Sequence, residues 1–141
     1  MTADAEFFGS KAVLICGDRL AVLRRDDIPE IPYPDLIDLP GGMREPGETP
    51  EACASRETFE EIGLRIETAR YVWRAFKTHR PNRAVWVLAA HISEREAGAL
   101  RLGDEGQACW MMELPAFLAA PDAIPHQQDW TREAFAALRP V

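Results

Sequence analysis

The sequence predicts an α+β fold or an α/β/α sandwich, in which helices pack on a β-sheet. Runs rich in β-branched and aromatic residues form two groups, and an amphipathic helical segment lies between them; a second helical segment follows the last run. Of the 141 residues 47% are hydrophobic, so one domain spanning residues 1–141 can bury a core. No internal repeat or low-complexity tract interrupts this order.

The first group of strands begins with two β-rich runs on either side of Gly17-Asp18, a dipeptide that is typical of a tight hairpin turn. A segment with three prolines in six residues, 29–34, follows and predicts a loop. Residues 37–39 are then expected to form a short strand that leads into Pro40-Gly41-Gly42.

The central helix is predicted to begin after Thr49 and to end before Gly63. Thr49 offers an N-cap hydroxyl, Pro50 suits the first helical position, and a glycine such as Gly63 adopts the left-handed conformation that ends many helices. Both ends of this helix are therefore specified by local residues.

The central helix has two different faces, because an α-helix advances by about 100° per residue. Three carboxylates share one face, and they repel one another by roughly a few tenths of a kcal/mol per pair. That face is either a solvated acidic surface or a site for a hard cation such as Mg²⁺, which takes oxygen ligands. The acidic face contains Glu57, Glu60 and Glu61, and the apolar face, expected on the sheet, contains Ala52, Ser55, Phe59 and Ile62.

The second half of the chain is predicted to add three strands and a helix. Two strands are expected in residues 71–77 and 83–92, and a long polar connection follows at 93–107. A last strand is expected at 108–114 and an amphipathic helix at 129–138. The apolar face of that helix would contain Trp130, Ala134, Phe135 and Leu138.

The acidic face belongs to a longer pattern. Gly42 is followed after five residues by Glu48, and after seven more by the run Arg56-Glu57-Thr58-Phe59-Glu60-Glu61-Ile62-Gly63-Leu64. This arrangement resembles the signature of the Nudix hydrolases, and every fixed glycine and charged position of that signature is filled. Thr58 is the one departure, since the family usually has Leu, Ile or Val there. The resemblance narrows the fold to that family's α/β/α sandwich with a mixed β-sheet.

The resemblance implies hydrolysis of a nucleoside diphosphate linked to another group, with a divalent metal ion held by the central helix. The implied cofactor is Mg²⁺, with Mn²⁺ as a substitute. Arg56 and Glu48 match the pair that braces a loop against the helix in the family. The metal ligands it implies are Glu57, Glu60, Glu61 and a carbonyl oxygen of Gly42 or Gly41.

A second similarity lies outside this signature. Residues 103–114, GDEGQACWMMEL, are similar to a segment of MutT-type Nudix enzymes in which Glu followed by Gly-Gln precedes a strand that carries a tryptophan. The similarity implies that Glu105 is a further metal ligand or the general base, which must reach the attacking water. Asp104 is an alternative that the sequence leaves open.

Five basic residues near predicted strand ends are candidates for contacting phosphate, because cationic side chains, and arginine forks above all, bind phosphate oxygens. Arg24 is the first choice among them. The others are Arg25, Lys77, Arg80 and Arg83.

The leading functional hypothesis is metal-dependent hydrolysis of a phosphoanhydride bond in a nucleoside triphosphate, including modified ones, to the monophosphate and pyrophosphate. Two alternatives stay open. One is a Nudix pyrophosphatase for ADP-ribose, nucleotide sugars, dinucleoside polyphosphates or capped RNA ends. The other is a module that senses a nucleotide without cleaving it.

Composition limits the partners. The formal net charge of −7 argues against nonspecific binding to nucleic acid or to anionic membranes, so a small nucleoside di- or triphosphate is the expected partner, with a capped RNA end as the exception. The three cysteines have no metal-site spacing, which favours a reducing compartment. Without a basic leader or a long apolar run near Met1, a cytoplasmic location is expected.

Overall fold

The computed structural model describes residues 6–78 and 83–138, in which seven strands form one mixed sheet with helices on both sides. The predicted sandwich is confirmed. The strands are β1 (Gly9–Cys16), β2 (Arg19–Arg24), β3 (Ile37–Asp38), β4 (Gly41–Met43), β5 (Trp73–Lys77), β6 (Val85–His91) and β7 (Ala108–Glu113). The helices are α1 (Pro50–Ile62), α2 (Glu94–Ala97), α3 (Leu114–Ala119) and α4 (Pro125–Leu138), and a 3₁₀ turn spans Thr68–Arg70.

The strand order is β3-β2-β1-β6-β5, with β7 on the other side of β2 and β4 paired to β1. The β1–β6 pair is parallel and the other pairs are antiparallel. The predicted hairpin is present, but its strands pair only next to the turn, at Ile15–Leu20 and Cys16–Arg19. β3 pairs with the end of β2 and β4 with the beginning of β1, so residues 37–43 occupy the space between the diverging hairpin strands.

The two faces of the sheet carry separate apolar cores. Because side chains alternate along a strand, Val13 of β1 packs with Phe117 of α3 and Phe135 of α4 on one face. Leu14 packs with Ile62 of α1 on the other face. The second face therefore positions α1, and the first positions α3 and α4.

The ends of α1 are as predicted. The Thr49 hydroxyl oxygen accepts a hydrogen bond of 3.1 Å from the Ala52 N–H. Gly63 has φ 76°, and its N–H donates to the Phe59 carbonyl at 3.1 Å. These local capping interactions fix where the helix begins and ends.

The buried face of α1 is not the predicted one. Thr58 is 0% exposed, whereas Phe59 is 40% exposed and lies under the Arg65 guanidinium, 4.2 Å from its ring centroid. Of the four predicted residues only Ile62 is buried. The prediction was wrong because the buried residues lie on the same side of α1 as Glu57 and Glu61, not on the opposite side, and Arg65 rather than the sheet covers Phe59. The buried residues are Pro50, Cys53, Ala54, Thr58 and Ile62.

Several features differ from the prediction, among them α3, which was not expected. The polar connection contains α2, which is held by a reciprocal cap: Ser93 accepts from the Glu96 N–H at 3.1 Å, and the Glu96 carboxylate accepts from the Ser93 N–H at 2.9 Å. α4 begins at Pro125, four residues earlier than expected. β4 consists largely of glycine, which gives no strand signal.

Among the described helices, none is long and apolar enough to cross a membrane.

Candidate active site

A cleft of about 570 Å³ lies between α1, the proline-rich loop at 28–36 and the beginning of α4. One wall is acidic and combines side chains from two distant parts of the sequence. The structure thus brings together the predicted acidic face of α1 and the predicted loop acids. These lining residues are Glu57, Glu60, Glu61, Asp104 and Glu105.

Glu61 is the most deeply placed of the α1 acids. Its Oε1 accepts a 2.7 Å hydrogen bond from the Gly41 N–H. Burial raises the pKa of Glu61 to about 7, although Lys11 and the Gly41 N–H oppose the rise. Its carboxylate charge is therefore poorly compensated by the protein, and a cation in the cleft would stabilise it.

Glu57 lies one turn earlier on the same face. Arg56 Nη1 donates to its Oε1 at 2.9 Å, yet burial raises the pKa of Glu57 above its ordinary value. Its carboxylate packs against Gly42, where an added Cβ would lie 2.6 Å from Glu57 Oε2. The glycine that begins the sequence signature therefore leaves space for this carboxylate.

Arg56 joins α1 to the loop at 43–48. Its Nε and Nη2 donate to the two carboxylate oxygens of Glu48 at 2.7 and 3.0 Å, and Nη2 also donates to the Met43 carbonyl at 2.8 Å. The same guanidinium reaches Glu60, whose side chain is 52% exposed, at 3.1 Å. Hydrogen bonding to Arg56 lowers the pKa of Glu48. The Glu48–Arg56 pair thus holds the loop with its charges balanced.

The loop that carries Asp104 and Glu105 is attached to the last turn of α1. The N–H groups of Arg101 and Gly103 donate to the carbonyls of Ile62 and Glu61, each at 2.9 Å. A Cβ at Gly103 would overlap the Glu60 carbonyl oxygen, so only glycine allows this close approach. Asp104 and Glu105 are both exposed and both line the cleft.

The floor of the cleft is a polar network that the sequence did not predict. Asp38 is 1% exposed and accepts from Lys11 Nζ at 3.0 Å, Arg25 Nη1 at 2.9 Å and Gln127 Nε2 at 2.7 Å. Gln127 is itself buried, and its Oε1 accepts from the Leu39 N–H at 2.8 Å. The network ties the floor to α4 through residues far apart in sequence, so no local pattern could show it.

Aromatic rings from the 28–36 loop and α4 form a further part of the lining. The His126 ring is 4.7 Å from the Trp130 ring and 5.8 Å from the Tyr33 ring, both in edge-to-face arrangement. Arg25 holds the loop by donating from Nε to the Pro32 carbonyl at 2.9 Å. Trp130, predicted on the core face of the last helix, therefore contributes both to the core and to the cleft.

Arg24, the first phosphate candidate, is not among the described residues that line the cleft. Its Nη2 donates to the Asp122 carboxylate at 2.9 Å, and its Nη1 donates to the Asp35 carbonyl at 2.8 Å. These contacts attach the loop and the segment before α4 to the end of β2. The structure thus gives Arg24 a bracing environment away from the acidic wall.

Two of the other phosphate candidates do line the cleft. Arg25 reaches it through the floor network, and the Arg83 guanidinium stacks 4.4 Å from the centroid of the Phe8 ring at the cleft edge. Lys77 lies outside the cleft and pairs with Glu133 at 2.7 Å. Arg80 lies outside the described residues.

The donors of the acidic wall suit a hard divalent cation. Within residues 6–78 and 83–138, no three His, Cys, Asp or Glu side chains are grouped closely enough to hold a metal ion by themselves. Carboxylate and carbonyl oxygens nevertheless dominate this wall, and burial leaves Glu57 and Glu61 in need of positive charge. The Gly42 carbonyl lies 3.5 Å from the Cys53 thiol and the Gly41 carbonyl 3.1 Å from Lys11 Nζ. The ligand assignment stays a prediction.

Comparison with known proteins identifies relatives of this chain. Residues 9–134 match the model of the NUDIX domain. Over 98 residues, 67% of this chain, the sequence is 36% identical to the NAD-capped RNA hydrolase NudC of Chromobacterium violaceum. Over 96 residues, 66% of this chain, it is 29% identical to the human diphosphoinositol polyphosphate phosphohydrolase 3-alpha. The matches cover 35% and 57% of these relatives, so the chain spans only part of their length.

The fold agrees with that of a solved structure, the MutT protein from Methanosarcina mazei Go1. The two superpose with a TM-score of 0.72, covering 99% of this chain and all of the other. The sequence identity is 15%, so this likeness concerns the fold alone.

Proposed function

The chain belongs to the Nudix hydrolase family, and from that premise we propose that it hydrolyses a phosphoanhydride bond of a nucleoside triphosphate to the monophosphate and pyrophosphate. Modified nucleotides are included. The observation that carries the proposal is the pair Glu57 and Glu61, two largely buried carboxylates on one face of α1 with raised pKa values beside a cleft. Such a pair is suited to holding a cation against a polyphosphate.

The protein groups divide the work as follows. Glu57, Glu61 and, further out, Glu60 would hold Mg²⁺ or Mn²⁺, which when bound neutralises phosphate oxygens and lowers the pKa of a coordinated water. Arg56 and Glu48 keep α1 and the 43–48 loop in fixed relation. Arg83, whose positive charge lies at the cleft edge, would contact phosphate oxygens.

The nucleoside would lie against the aromatic lining. Tyr33 and His126 present rings to the same cleft as the α1 acids, and nucleobases stack on such rings. A cleft of about 570 Å³ is of the size that encloses a small organic ligand. Acidic and aromatic groups in one cleft support a substrate with both a polyphosphate and a base.

Glu105 is proposed as the general base that takes a proton from the attacking water, with Asp104 as the alternative. Both are exposed on a loop that is fixed to α1 through Gly103. Glu105→Gln should lower kcat by about 10²-fold with little change in nucleotide binding, the effect expected for loss of a general base. Asp104→Asn is the matched control. If only Asp104→Asn slows turnover, the role moves to Asp104.

A second candidate substrate is the diphosphate linkage of a capped RNA end, favoured by the 36% identity to a NAD-capped RNA hydrolase. ADP-ribose, nucleotide sugars and dinucleoside polyphosphates contain the same kind of linkage. The overall negative charge of −7 favours a small ligand over a long RNA.

The deciding experiment is a substrate panel with Mg²⁺ and with Mn²⁺. It covers ordinary and oxidised nucleoside triphosphates, ADP-ribose, nucleotide sugars, dinucleoside polyphosphates and NAD-capped RNA, with products separated by chromatography. Release of monophosphate and pyrophosphate from a triphosphate supports the proposal. Preference for another class of compound would show that this class, and not a nucleoside triphosphate, is the substrate. Nucleotide binding without any turnover would indicate a sensor instead.

A further inference from the structure

Lys11 places a positive charge at the floor of the cleft, inside a group of oxygen atoms. Its Nζ lies 3.0 and 3.2 Å from the two carboxylate oxygens of Asp38, 3.2 Å from the Leu39 carbonyl and 3.1 Å from the Gly41 carbonyl. The lysine side chain is 16% exposed. Two carboxylate and two carbonyl oxygens around one point are the ligands that hard cations take in proteins.

The charges on this floor do not cancel. Asp38 is the only carboxylate among the described contacts of Lys11, and it also pairs with Arg25 at 2.9 Å. Two positive groups therefore face one buried carboxylate, and the charge of Lys11 also acts on Glu57 and Glu61 of the acidic wall.

The four oxygen atoms around Lys11 Nζ are connected to the acidic wall through Gly41. The carbonyl of Gly41 accepts from Lys11 Nζ at 3.1 Å, and its N–H donates to Glu61 Oε1 at 2.7 Å. A single residue thus separates the lysine ammonium from the most buried acid of α1. A divalent ion bound by Glu61 would lie close to a fixed positive charge.

We propose that Lys11 is a tethered cation: its ammonium occupies an oxygen site that would otherwise hold a metal ion, and it confines divalent ions to the Glu57–Glu61 side of Gly41. This inference rests on the metal-binding part of the proposed function. Lys11 is a positioning residue, because it acts through Gly41 and Asp38. It sets how many ions the cleft takes.

The test counts bound metal ions, so it does not depend on turnover. Metal-free protein without nucleotide is titrated with Mn²⁺, and the free ion is measured by electron paramagnetic resonance. Lys11→Met and Lys11→Gln should each bind one more Mn²⁺ per chain than the wild type, at a concentration that saturates the wild type. Lys11→Arg, which keeps the charge, should keep the wild-type count.

Lys77→Met is the matched control, since Lys77 is the other lysine of the chain and pairs with Glu133 outside the cleft. Circular dichroism checks that each variant is folded. If Lys11→Met does not fold, Lys11→Gln decides the question, because its amide still donates hydrogen bonds. Equal Mn²⁺ counts in the wild type and the folded, uncharged Lys11 variants would overturn the inference.

The outcomes also separate this inference from the proposed function. Nucleotide hydrolysis by the wild type, together with unchanged Mn²⁺ counts, overturns the role of Lys11 and leaves the proposed function standing. A silent substrate panel, together with an extra ion in Lys11→Met and Lys11→Gln, overturns the function and supports the tethered cation.

Discussion

Glu48 and Glu61 belong to one sequence signature, yet the protein treats their charges in opposite ways. Glu48 receives two hydrogen bonds from Arg56, and its pKa is lowered. Glu61 is partly buried beside other acids, and its pKa is raised to about 7. A carboxylate that is paired within the protein stabilises the fold, whereas one left unpaired is available to an external cation. The electrostatic surroundings of each acid therefore distinguish bracing residues from candidate ligands.

The largest expected effect concerns Glu61, the acid whose pKa is raised. Glu61→Gln removes the charge but keeps an oxygen that can accept from the Gly41 N–H. We expect metal-dependent kcat/KM to fall by about 10³-fold or more, measured with the best substrate of the panel. Glu51→Gln is the control on the same helix, because Glu51 pairs with Arg74 outside the cleft, at 2.9 Å. Retention of most activity by Glu61→Gln would remove Glu61 from the mechanism.

The next effect is on stability without metal. The pKa of Glu61 rises from 4.5 to about 7 on folding, so the folded protein holds this proton more tightly than the unfolded chain does. The stability from this group is complete below pH 4.5 and is lost as the pH rises through 7, by about 3 kcal/mol in total. Urea unfolding of metal-free protein from pH 4 to 8 should therefore show Glu61→Gln gaining on the wild type as the pH rises. Parallel pH profiles would contradict the raised pKa.

Weakening the Glu48–Arg56 pair should lower the free energy of unfolding at all pH values at which Glu48 is charged. Arg56→Lys replaces a fork that contacts both Glu48 oxygens and the Met43 carbonyl. We expect a loss of about 2 kcal/mol in the free energy of unfolding, because lysine cannot make these bonds together. Arg132→Lys, in an exposed pair with Asp129, should change the value by less than about 0.5 kcal/mol. Equal effects of the two substitutions would show that Arg56 does not brace the 43–48 loop against α1.

The smallest expected effect is that of Glu48→Gln, and it should depend on pH in the opposite direction to the effect of Glu61→Gln. The pKa of Glu48 is lowered, so its stabilising contribution is present above pH 4.5 and is lost as the pH falls through the folded-state value. Glu48→Gln should cost about 1 kcal/mol at pH 7, and the difference from the wild type should shrink on acidification. Urea titrations at pH 7 and at pH 3.5 measure this. A gap that widens in acid would reverse the assignment.

Local sequence signals specified the acidic wall but not the floor. Thr49, Pro50 and Gly63 fix α1, and the spacing of its glutamates follows from helix geometry, so both could be predicted. On the floor, Asp38 bonds to Lys11, which is 27 residues away along the chain, and to Gln127, which is 89 residues away. Such contacts arise from packing of whole elements, and a single sequence contains no short-range trace of them.

Two further local signals in the sequence specify where helices begin. Ser93 and Glu96 have the spacing of a capping box, which predicts the start of α2 even though that helix has only four residues. Pro125 suits a first helical position and predicts the true start of α4. The exposed position of Phe59 could not be predicted in the same way, because it depends on Arg65 lying over the ring.

The attachment of the Asp104–Glu105 loop to α1 has a consequence for motion. The N–H groups of Arg101 and Gly103 are bonded to carbonyls of the last helical turn, so the base of the loop opens only when these two hydrogen bonds break. In hydrogen–deuterium exchange, these two amides should therefore exchange more slowly than the amides of the exposed residues Asp104 and Glu105. The loop would then keep a fixed base on the helix while its tip moves on a faster timescale.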